Sequence, residues 1–562
     1  MMRFNSLRAA TCAGLAVLAL CRAAVAAPET PPGPPVVKTS GGLLAGQAVS
    51  AEVAVYKGIP YAAPPIGEAR WKPPAPAGTW SGVRDAGRFG PSCIQPLSPP
   101  TSVYADDPPR MNEDCLYLNV WTPNGASKGG GGKAPVMVWI HGGSLATGNL
   151  ASSIYDGAAL ARRGVVVVTL NYRLGILGFL AHPELSAESP QHVSGNYGLL
   201  DQQAALRWVK ANIAGFGGDP DNVTLFGESA GGLSVMDQMT SPLAKGLFQK
   251  AIAESAYMVW NPELSRDSFG QPSAEAIGAY LGAKLGAPNL KVLRAIDGES
   301  LIKATVGYLP LPTIDGWVLP HQLVETFDRG EQAHIPLLAG FNAGEISSLR
   351  FLAPPVPKTA QAYEAEVHRR YGDLADAYLK LYPSSALEES VLAATRDGLY
   401  GWTAERLVTK QAAIGQPSFL YFFEHTYPAE TARGMGAFHA SELPYVFGQA
   451  GPGTHLPTAW LKPPQTADEA ALSDAIIAYW TAFARDGAPD PAGQPQWRPF
   501  GDHAAYMAFR DAPTPGTDLF PGMYALNEEE ISRRRQGGKV NWFANIGLAA
   551  PPLVAGTAGA KP

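Results

Sequence analysis

One short stretch of this sequence has the residue types that make a serine hydroxyl attack. Asn222 to Gly232 reads NVTLFGESAGG, an apolar run that enters Gly227-Glu228-Ser229-Ala230-Gly231 and leaves into a helix-compatible segment. Strand, sharp turn and helix around a central Ser describe a nucleophile elbow. The turn holds the Ser in a strained backbone conformation that lifts its hydroxyl off the sheet. Side chains at Gly227 or Gly231 would collide with the neighbouring strand and helix. The helix aims its N-terminus at the hydroxyl, which leaves the Ala230 N–H free to donate to a developing oxyanion. A second glycine turn, Trp139-Ile140-His141-Gly142-Gly143-Ser144, also follows an apolar run. Elbow-type enzymes draw a further backbone donor from such a loop. The chemistry these residues suit is acyl transfer through a covalent intermediate.

A serine hydroxyl is a poor nucleophile until a base takes its proton. In elbow-type triads the acid and then the His follow the Ser along the chain. Seven histidines follow Ser229: His321, His334, His368, His425, His439, His455 and His503. His439 lies in the Gly/Ala-rich stretch Gly434–Ala440, past the strand-like run Phe419–Phe423. A loop just beyond a strand's carboxyl end lies on the catalytic side of an α/β sheet. That placement favours His439 without excluding the others. For the acid, Glu345 follows the apolar run Ile335–Phe341 after Asn342-Ala343-Gly344, again at a strand's carboxyl end. A solvated loop carboxylate is the competing reading.

The elements that must position these groups alternate in type. Strand-like runs occur at Leu43–Val49, Val53–Gly58, Leu116–Trp121, Val136–Ile140, Val165–Leu170, Val223–Phe226, Lys250–Ala253, Pro336–Gly340 and Phe419–Phe423. Several are continuously apolar, as strands buried on both faces are. Asn196–Ile213 and Ala470–Arg485 have helical spacing, the latter closed by Gly487 with Pro489 beyond. Asn261–Lys303 and Thr359–Gln411 also read as helical, and Lys128–Lys133 and Gly451–Thr466 as surface loops. Strands alternating with helices imply an α/β fold with a mostly parallel central sheet and helices on both faces.

With 562 residues and 46% hydrophobic content the chain can bury a large core. A net charge of -6 and no Lys/Arg block give no reason to expect nucleic acid as a partner. Arg3 and Arg8, the apolar run Ala13–Leu20 and the small residues Ala24-Val25-Ala26 read as a cleavable signal peptide over residues 1–26. That apolar run is shorter than the ~20 residues a membrane span requires. Lipidation at Cys21 is not expected, because Leu20 is bulky where a small residue should precede the Cys. A Pro-rich linker over 27–35, one catalytic domain over 36–547 and a flexible Ala/Pro/Gly tail over 548–562 complete the organisation. Export makes the protein periplasmic or secreted, where the two cysteines left after cleavage, Cys93 and Cys115, can pair.

Longer stretches extend these motifs: YKGIPYAAPPIGEARW (Tyr56–Trp71), EDCLYLNVWTP (Glu113–Pro123), VWIHGGSLATG (Val138–Gly148), NYRLGILGFL (Asn171–Leu180), GNYGLLDQQAALRWVKANIAGFGGDP (Gly195–Pro220) and FGESAGG (Phe226–Gly232). On these the chain resembles the type-B carboxylesterase/cholinesterase-like family of α/β-hydrolases, with the character of secreted bacterial members of the para-nitrobenzyl esterase type. The resemblance covers nearly the whole mature chain. It implies an α/β-hydrolase fold with helical insertions over the site, hydrolysis of small carboxylic esters and no metal or organic cofactor. It implies Ser229, Glu345 and His439 as the triad and the N–H groups of Gly143, Ser144 and Ala230 as the oxyanion hole. Glu228, Ser255 and Glu442 match a buried polar network beside the triad, joined by hydrogen bonds. Cys93–Cys115 matches a family disulfide, and Arg70–Glu113 and Arg173–Asp201 match family salt bridges.

The chain departs from the family pattern in two places. Asn342-Ala343-Gly344-Glu345-Ile346 stands where the family has Asn-x-Asp-Glu-Gly. Ser144-Leu145 replaces a third Gly and an aromatic, and the Ser144 Cβ is expected to narrow the site against tertiary alcohols. No Trp lies between Cys93 and Cys115, so a cation–π site for choline is not supported. Two other readings stand beside a general esterase: an enzyme specialised for a natural aromatic, polyester or toxin ester, and a non-catalytic adhesion module. Retention of Ser229, Glu345 and His439 together weighs against the second.

Overall fold

The apolar runs assemble into one sheet. The computed structural model describes residues 35–106, 108, 110–124, 133–539 and 547–553. The signal peptide, all of the linker but Pro35, nearly all of the loop expected at Lys128–Lys133 and the last nine residues of the tail lie outside them. The strands of the main sheet are, in chain order, β1 (Gln47–Ala48), β2 (Val53–Pro60), β3 (Tyr117–Pro123), β4 (Ala134–Ile140), β5 (Val166–Leu170), β6 (Gly218–Glu228), β7 (Lys250–Glu254), β8 (Leu337–Asn342), β9 (Ser418–Phe423), β10 (Ala505–Phe509) and β11 (Pro513–Thr517). They lie in the order β11-β10-β9-β8-β7-β6-β4-β5-β3-β2-β1. From β5 through β10 every neighbouring pair is parallel, and the pairs outside that block are antiparallel. A small separate sheet joins Val36–Thr39, Gly42–Ala45 and Val83–Asp85.

Side chains alternate across the parallel strands into two cores. On β4, Val136, Val138 and Ile140 face one core while Met137 and Trp139 face the other. The same alternation places Val166, Val168 and Leu170 of β5 opposite Val167. Two apolar cores explain why these runs lack the polar alternation of a half-exposed strand. Helices α1 (Tyr197–Asn212) and α2 (Ala230–Thr240) pack on the first core. On the second packs a longer helix, Ala467–Asp486, capped by the Thr466 side chain and ended by Gly487 at φ 76°. The segment expected to be helical at Asn261–Lys303 contains three short helices, Ala274–Lys284, Leu290–Ala295 and Gly298–Ala304.

The strand order fixes where chemistry can occur. The chain leaves β4 toward β5 on one side, then returns past β4 to β6 and runs on to β7 on the other. The carboxyl ends of β4 and β6 therefore flank a topological switch point, where open α/β sheets bind ligands. These ends carry His141-Gly142-Gly143 and Ser229.

Cys93 and Cys115 form the disulfide, with Cα atoms 5.0 Å apart. Arg70 grips Glu113 with two nitrogens and also donates to the carbonyls of Arg294 and Ile296 at 2.9 and 2.6 Å. Arg173 grips Asp201 through Nε and Nη2 at 2.8 and 2.7 Å.

The tail departs from expectation at its start. Gly547–Ala549 forms a 3-10 turn, with Leu548 buried against the Tyr371 and Tyr378 cluster. Tyr371 donates to Gly547 O at 2.9 Å and Leu553 N–H to Arg370 O at 2.8 Å. Two buried apolar residues, Leu548 and Ala550, and the backbone groups held by Tyr371, Arg370 and Arg534 dock a segment whose composition reads as loose.

Candidate active site

β6 runs directly into Ser229, which adopts φ 57° and ψ −121° at the head of α2. That is a strained conformation for a non-glycine residue. The Ser229 N–H donates to Glu254 O at 2.9 Å, tying the turn to the end of β7. Glycine is required on both sides. A Cβ on Gly231 would stand 2.1 Å from Ile140 O, and one on Gly227 would stand 2.6 Å from the Gly231 carbonyl carbon.

The glycine loop after β4 presses on the same turn. A Cβ on Gly142 would lie 2.7 Å from Glu228 O and 3.1 Å from Ser229 Cβ. Gly143, Ser144 and Leu145 then turn at φ 102°, 55° and 57°. Thr147 N–H closes this turn on Gly143 O at 2.9 Å. No described residue accepts a hydrogen bond from the N–H of Gly143, Ser144 or Ala230. These are the three donors expected to face an oxyanion. His141 is buried, stacked on Tyr172 with ring centroids 4.6 Å apart, and its Nδ1 lies 2.9 Å from Gly142 O. Burial pulls its pKa down to about 4, so it stays neutral and structural.

The loops carrying Glu345 and His439 hold each other. Asn342, the last residue of β8, donates its N–H to Glu345 Oε1 at 2.8 Å. Its side-chain amide donates to Phe438 O at 2.9 Å and to Glu442. Gly344 N–H reaches Ala437 O at 2.8 Å, where a Cβ would strike Met435 O at 2.6 Å. The other Glu345 oxygen meets His439 Nδ1 in a short hydrogen bond. Glu345 is fully buried, so this carboxylate fixes both the ring's orientation and the nitrogen left for chemistry.

The remaining ring nitrogen has an unexpected neighbour. His439 Nε2 lies 3.0 Å from Glu228 Oε1, and no hydrogen bond joins it to Ser229. In the resting site the imidazole is thus flanked by two carboxylates. Burial works against a charged imidazolium, but Glu228 and Glu345 outweigh it and raise His439 to about 9. Burial, with the Glu345 charge, raises Glu228 to about 7 despite the opposing pull of His439. Burial also raises Glu254 to about 8 and holds Glu442 well above the carboxylate range.

The network expected among Glu228, Ser255 and Glu442 is corrected in one respect. All three are buried, but no direct hydrogen bond links them. Glu442 is held instead by Asn342, a residue whose role the sequence reading missed. Also missed were Tyr104, whose hydroxyl donates to His439 O at 2.9 Å, and Tyr400, whose ring centroid lies 5.2 Å from the imidazole. Tyr104 lies within the disulfide-closed loop, where only the absence of Trp had been read. Among the described residues no cluster of His, Cys, Asp and Glu has the arrangement to hold a metal ion.

Residues 33–524 match the family model described as the carboxylesterase family. The chain belongs to the carboxylesterase family. It is 39% identical over 485 residues to the fumonisin B1 esterase of Sphingopyxis macrogoltabida, covering 84% of this chain and 85% of that one. It is 38% identical over 448 residues to the para-nitrobenzyl esterase of Bacillus subtilis (strain 168), covering 77% and 86%. A solved PNB esterase structure superposes with a TM-score of 0.71 at 34% identity, over 88% of this chain and 99% of its own. A thermophilic PNB esterase gives 0.72 at 34% identity with the same coverage. The fold is therefore that of the α/β-hydrolases and the activity is hydrolysis of carboxylic esters.

The Glu228 contact has a kinetic consequence in this esterase. A general base must be unprotonated, so if His439 has that role, as the resemblance implies, its two carboxylate neighbours, which raise it to about 9, shift activity toward alkaline pH. Glu228→Gln removes one of them, lowers the imidazole pKa and should move the acid limb of kcat/KM down by about one pH unit, roughly the spread seen among protein histidines. A pH–rate profile on a p-nitrophenyl ester measures this; an acid limb that stays in place or rises refutes the coupling.

Proposed function

We propose that Ser229, His439 and Glu345 form the catalytic triad of this ester hydrolase. The observation that carries the reading is the Glu345–His439 hydrogen bond, set beside a serine held at φ 57°. For attack, the imidazole turns Nε2 from Glu228 to Ser229 and takes the hydroxyl proton while Oγ bonds to the ester carbonyl carbon. The carbonyl oxygen becomes an oxyanion that accepts from the N–H groups of Gly143, Ser144 and Ala230. Collapse breaks the bond to the alcohol oxygen, which receives the proton from His439 and leaves an acyl-Ser229. Water then repeats the sequence, with His439 again base and then acid, and releases the carboxylic acid. Glu345 stays ionised throughout and stabilises the imidazolium.

The export reading belongs to the same proposal: residues 1–26 as a signal peptide ahead of a linker and a single catalytic domain. The Cys93–Cys115 disulfide supports it, since oxidising compartments preserve such bonds. A fluorophosphonate probe should label Ser229 in the exported protein, whose N-terminus should be Ala27, and Ser229→Ala should abolish labelling. Retained labelling refutes the nucleophile, and an N-terminus at Met1 refutes cleavage.

Ser144 is exposed at the oxyanion turn with φ 55°, so its Cβ narrows the approach to Ser229. n-Butyl acetate should be hydrolysed at least tenfold faster than tert-butyl acetate, since one misfitting branch in a pocket is worth about 1–3 kcal/mol. Equal rates would sink this reading of Ser144.

A specialised substrate is favoured by one finding, the 39% identity to a fumonisin B1 esterase. If the specialisation is shared, kcat/KM on fumonisin B1 should exceed that on p-nitrophenyl acetate. A lower value returns the protein to the general esterases.

A further inference from the structure

Between Leu387–Arg396 (α3) and Trp402–Ala413 (α4) the helix does not continue as an α-helix. Asp397–Gly401 forms a π-helical turn. Such turns insert an extra residue into a helix and occur frequently at functional sites. This one faces the triad and is held there from three directions. Arg396 bonds Asp397 at 2.7 Å and donates to Ala343 O, in the acid loop, at 3.2 Å. Tyr382 donates to the other Asp397 oxygen at 2.9 Å. Thr403 donates to Leu399 O at 2.8 Å and accepts the Met258 N–H at 2.9 Å, pinning the turn to the segment after β7.

The residue this turn presents is Tyr400. Its ring lies 5.2 Å from the His439 imidazole at 38°, and 6.1 Å from the Tyr257 ring at 89°. Tyr400 is 3% exposed, yet its hydroxyl makes no hydrogen bond to a described residue. The hydroxyls of Tyr378 and Tyr421 are unpartnered because they are sealed in the core; those of Tyr400 and Tyr257 are not among the sealed groups. The Tyr400 ring, packed on the His439 imidazole, is part of the wall around that residue. A phenol with a free O–H at the edge of a largely buried site is a donor awaiting an acceptor. Burial, joined by the charges of Glu345 and Glu228, raises the Tyr400 pKa well above its ordinary value and keeps the proton on.

We infer that Tyr400 is a specificity-determining residue, whose phenol donates a hydrogen bond to a second oxygen of the substrate near the scissile bond. It thereby selects esters bearing a keto, ether or hydroxyl oxygen over alkyl esters of the same size. The inference rests on the assignment of His439 to the triad. Sites built to hydrogen-bond a substrate group discriminate more sharply than apolar pockets do, because the analogue lacking that group leaves the donor unpaired.

The test compares two matched pairs in wild type and Tyr400→Phe. The acyl pair is p-nitrophenyl 4-oxopentanoate against p-nitrophenyl 4-methylpentanoate. The alcohol pair is 2-methoxyethyl acetate against n-butyl acetate. Wild type should favour the oxygenated member of at least one pair about fivefold in kcat/KM, the worth of one neutral hydrogen bond. Tyr400→Phe should abolish that preference and leave the alkyl members within about twofold, because the ring that packs on His439 remains. Absence of preference in both pairs, or a preference that survives in the Phe variant, overturns the inference. So does an equal fall on both members of a pair, which marks a merely structural role. If His439→Ala leaves hydrolysis of the favoured ester unchanged, the triad reading fails instead.

Discussion

The site depends on how closely three stretches of backbone approach one another. The turn from β6 to α2 lies against the carboxyl end of β4 so tightly that Gly231 has no room for a Cβ beneath Ile140 O. Gly142, in the loop after β4, also lies too close to Glu228 for a Cβ, at 2.7 Å from its backbone oxygen. Contact at that range occurs only where side chains are missing, which explains glycine at 142, 227 and 231 better than any flexibility argument. One geometric constraint sets the strained φ of Ser229 and presses the glycine turn after β4 against it. The strand order supplies the reason these loops meet, since β4 and β6 are neighbours whose connections diverge.

Around that point the protein buries more carboxylates than a triad requires. Glu228, Glu254, Glu345 and Glu442 are each at most 3% exposed, and two of them flank the His439 imidazole. Glu228, Glu254, Glu442 and His439 all have raised pKa values, so the folded state binds more protons than the unfolded chain. Their contribution to stability is therefore fully present below the ordinary carboxylate range. It is lost as pH rises through about 7 for Glu228, about 8 for Glu254 and about 9 for His439. The proposed mechanism has the opposite demand, because in it His439 acts as a base only once deprotonated. On that proposal the working pH is a compromise between activity and stability, and Glu228, the residue immediately before Ser229, contributes to both.

Much of this was legible in the sequence because it is local. The elbow, the glycine turn and the strand runs are each written in fewer than a dozen consecutive residues, and sterics alone explain them. The disulfide was legible from the two cysteines left after signal cleavage, whereas the two Arg–carboxylate pairs join distant positions and became legible through resemblance, since spacing does not encode them. The position of Nε2 against Glu228 was not legible, because it depends on one rotamer in a crowded site. Nor was Asn342, whose two side-chain bonds reach residues 96 and 100 positions away. Leu548 shows the same limit: an Ala/Pro/Gly tail conceals an anchoring side chain that only the Tyr371–Tyr378 pocket reveals.

The π-turn was invisible for a different reason. Apolar periodicity continues through Thr359–Gln411, and a one-residue insertion changes its phase without interrupting it. At 3.6 residues per turn, one extra residue rotates everything beyond it by about 100° around the helix axis. The cores show the effect. Val391 and Ala394 of α3 pack with the tyrosine cluster that also receives Leu548. Trp402, Leu407 and Val408 of α4 pack in the core beneath the sheet. An unbroken α-helix would turn the apolar residues of one half away from their partners. The turn reconciles the two cores, and Tyr400 stands at the residue where the phase changes. Its place over His439 is thus set by packing on both sides of the turn, which gives a binding-site phenol the rigidity that a loop residue lacks.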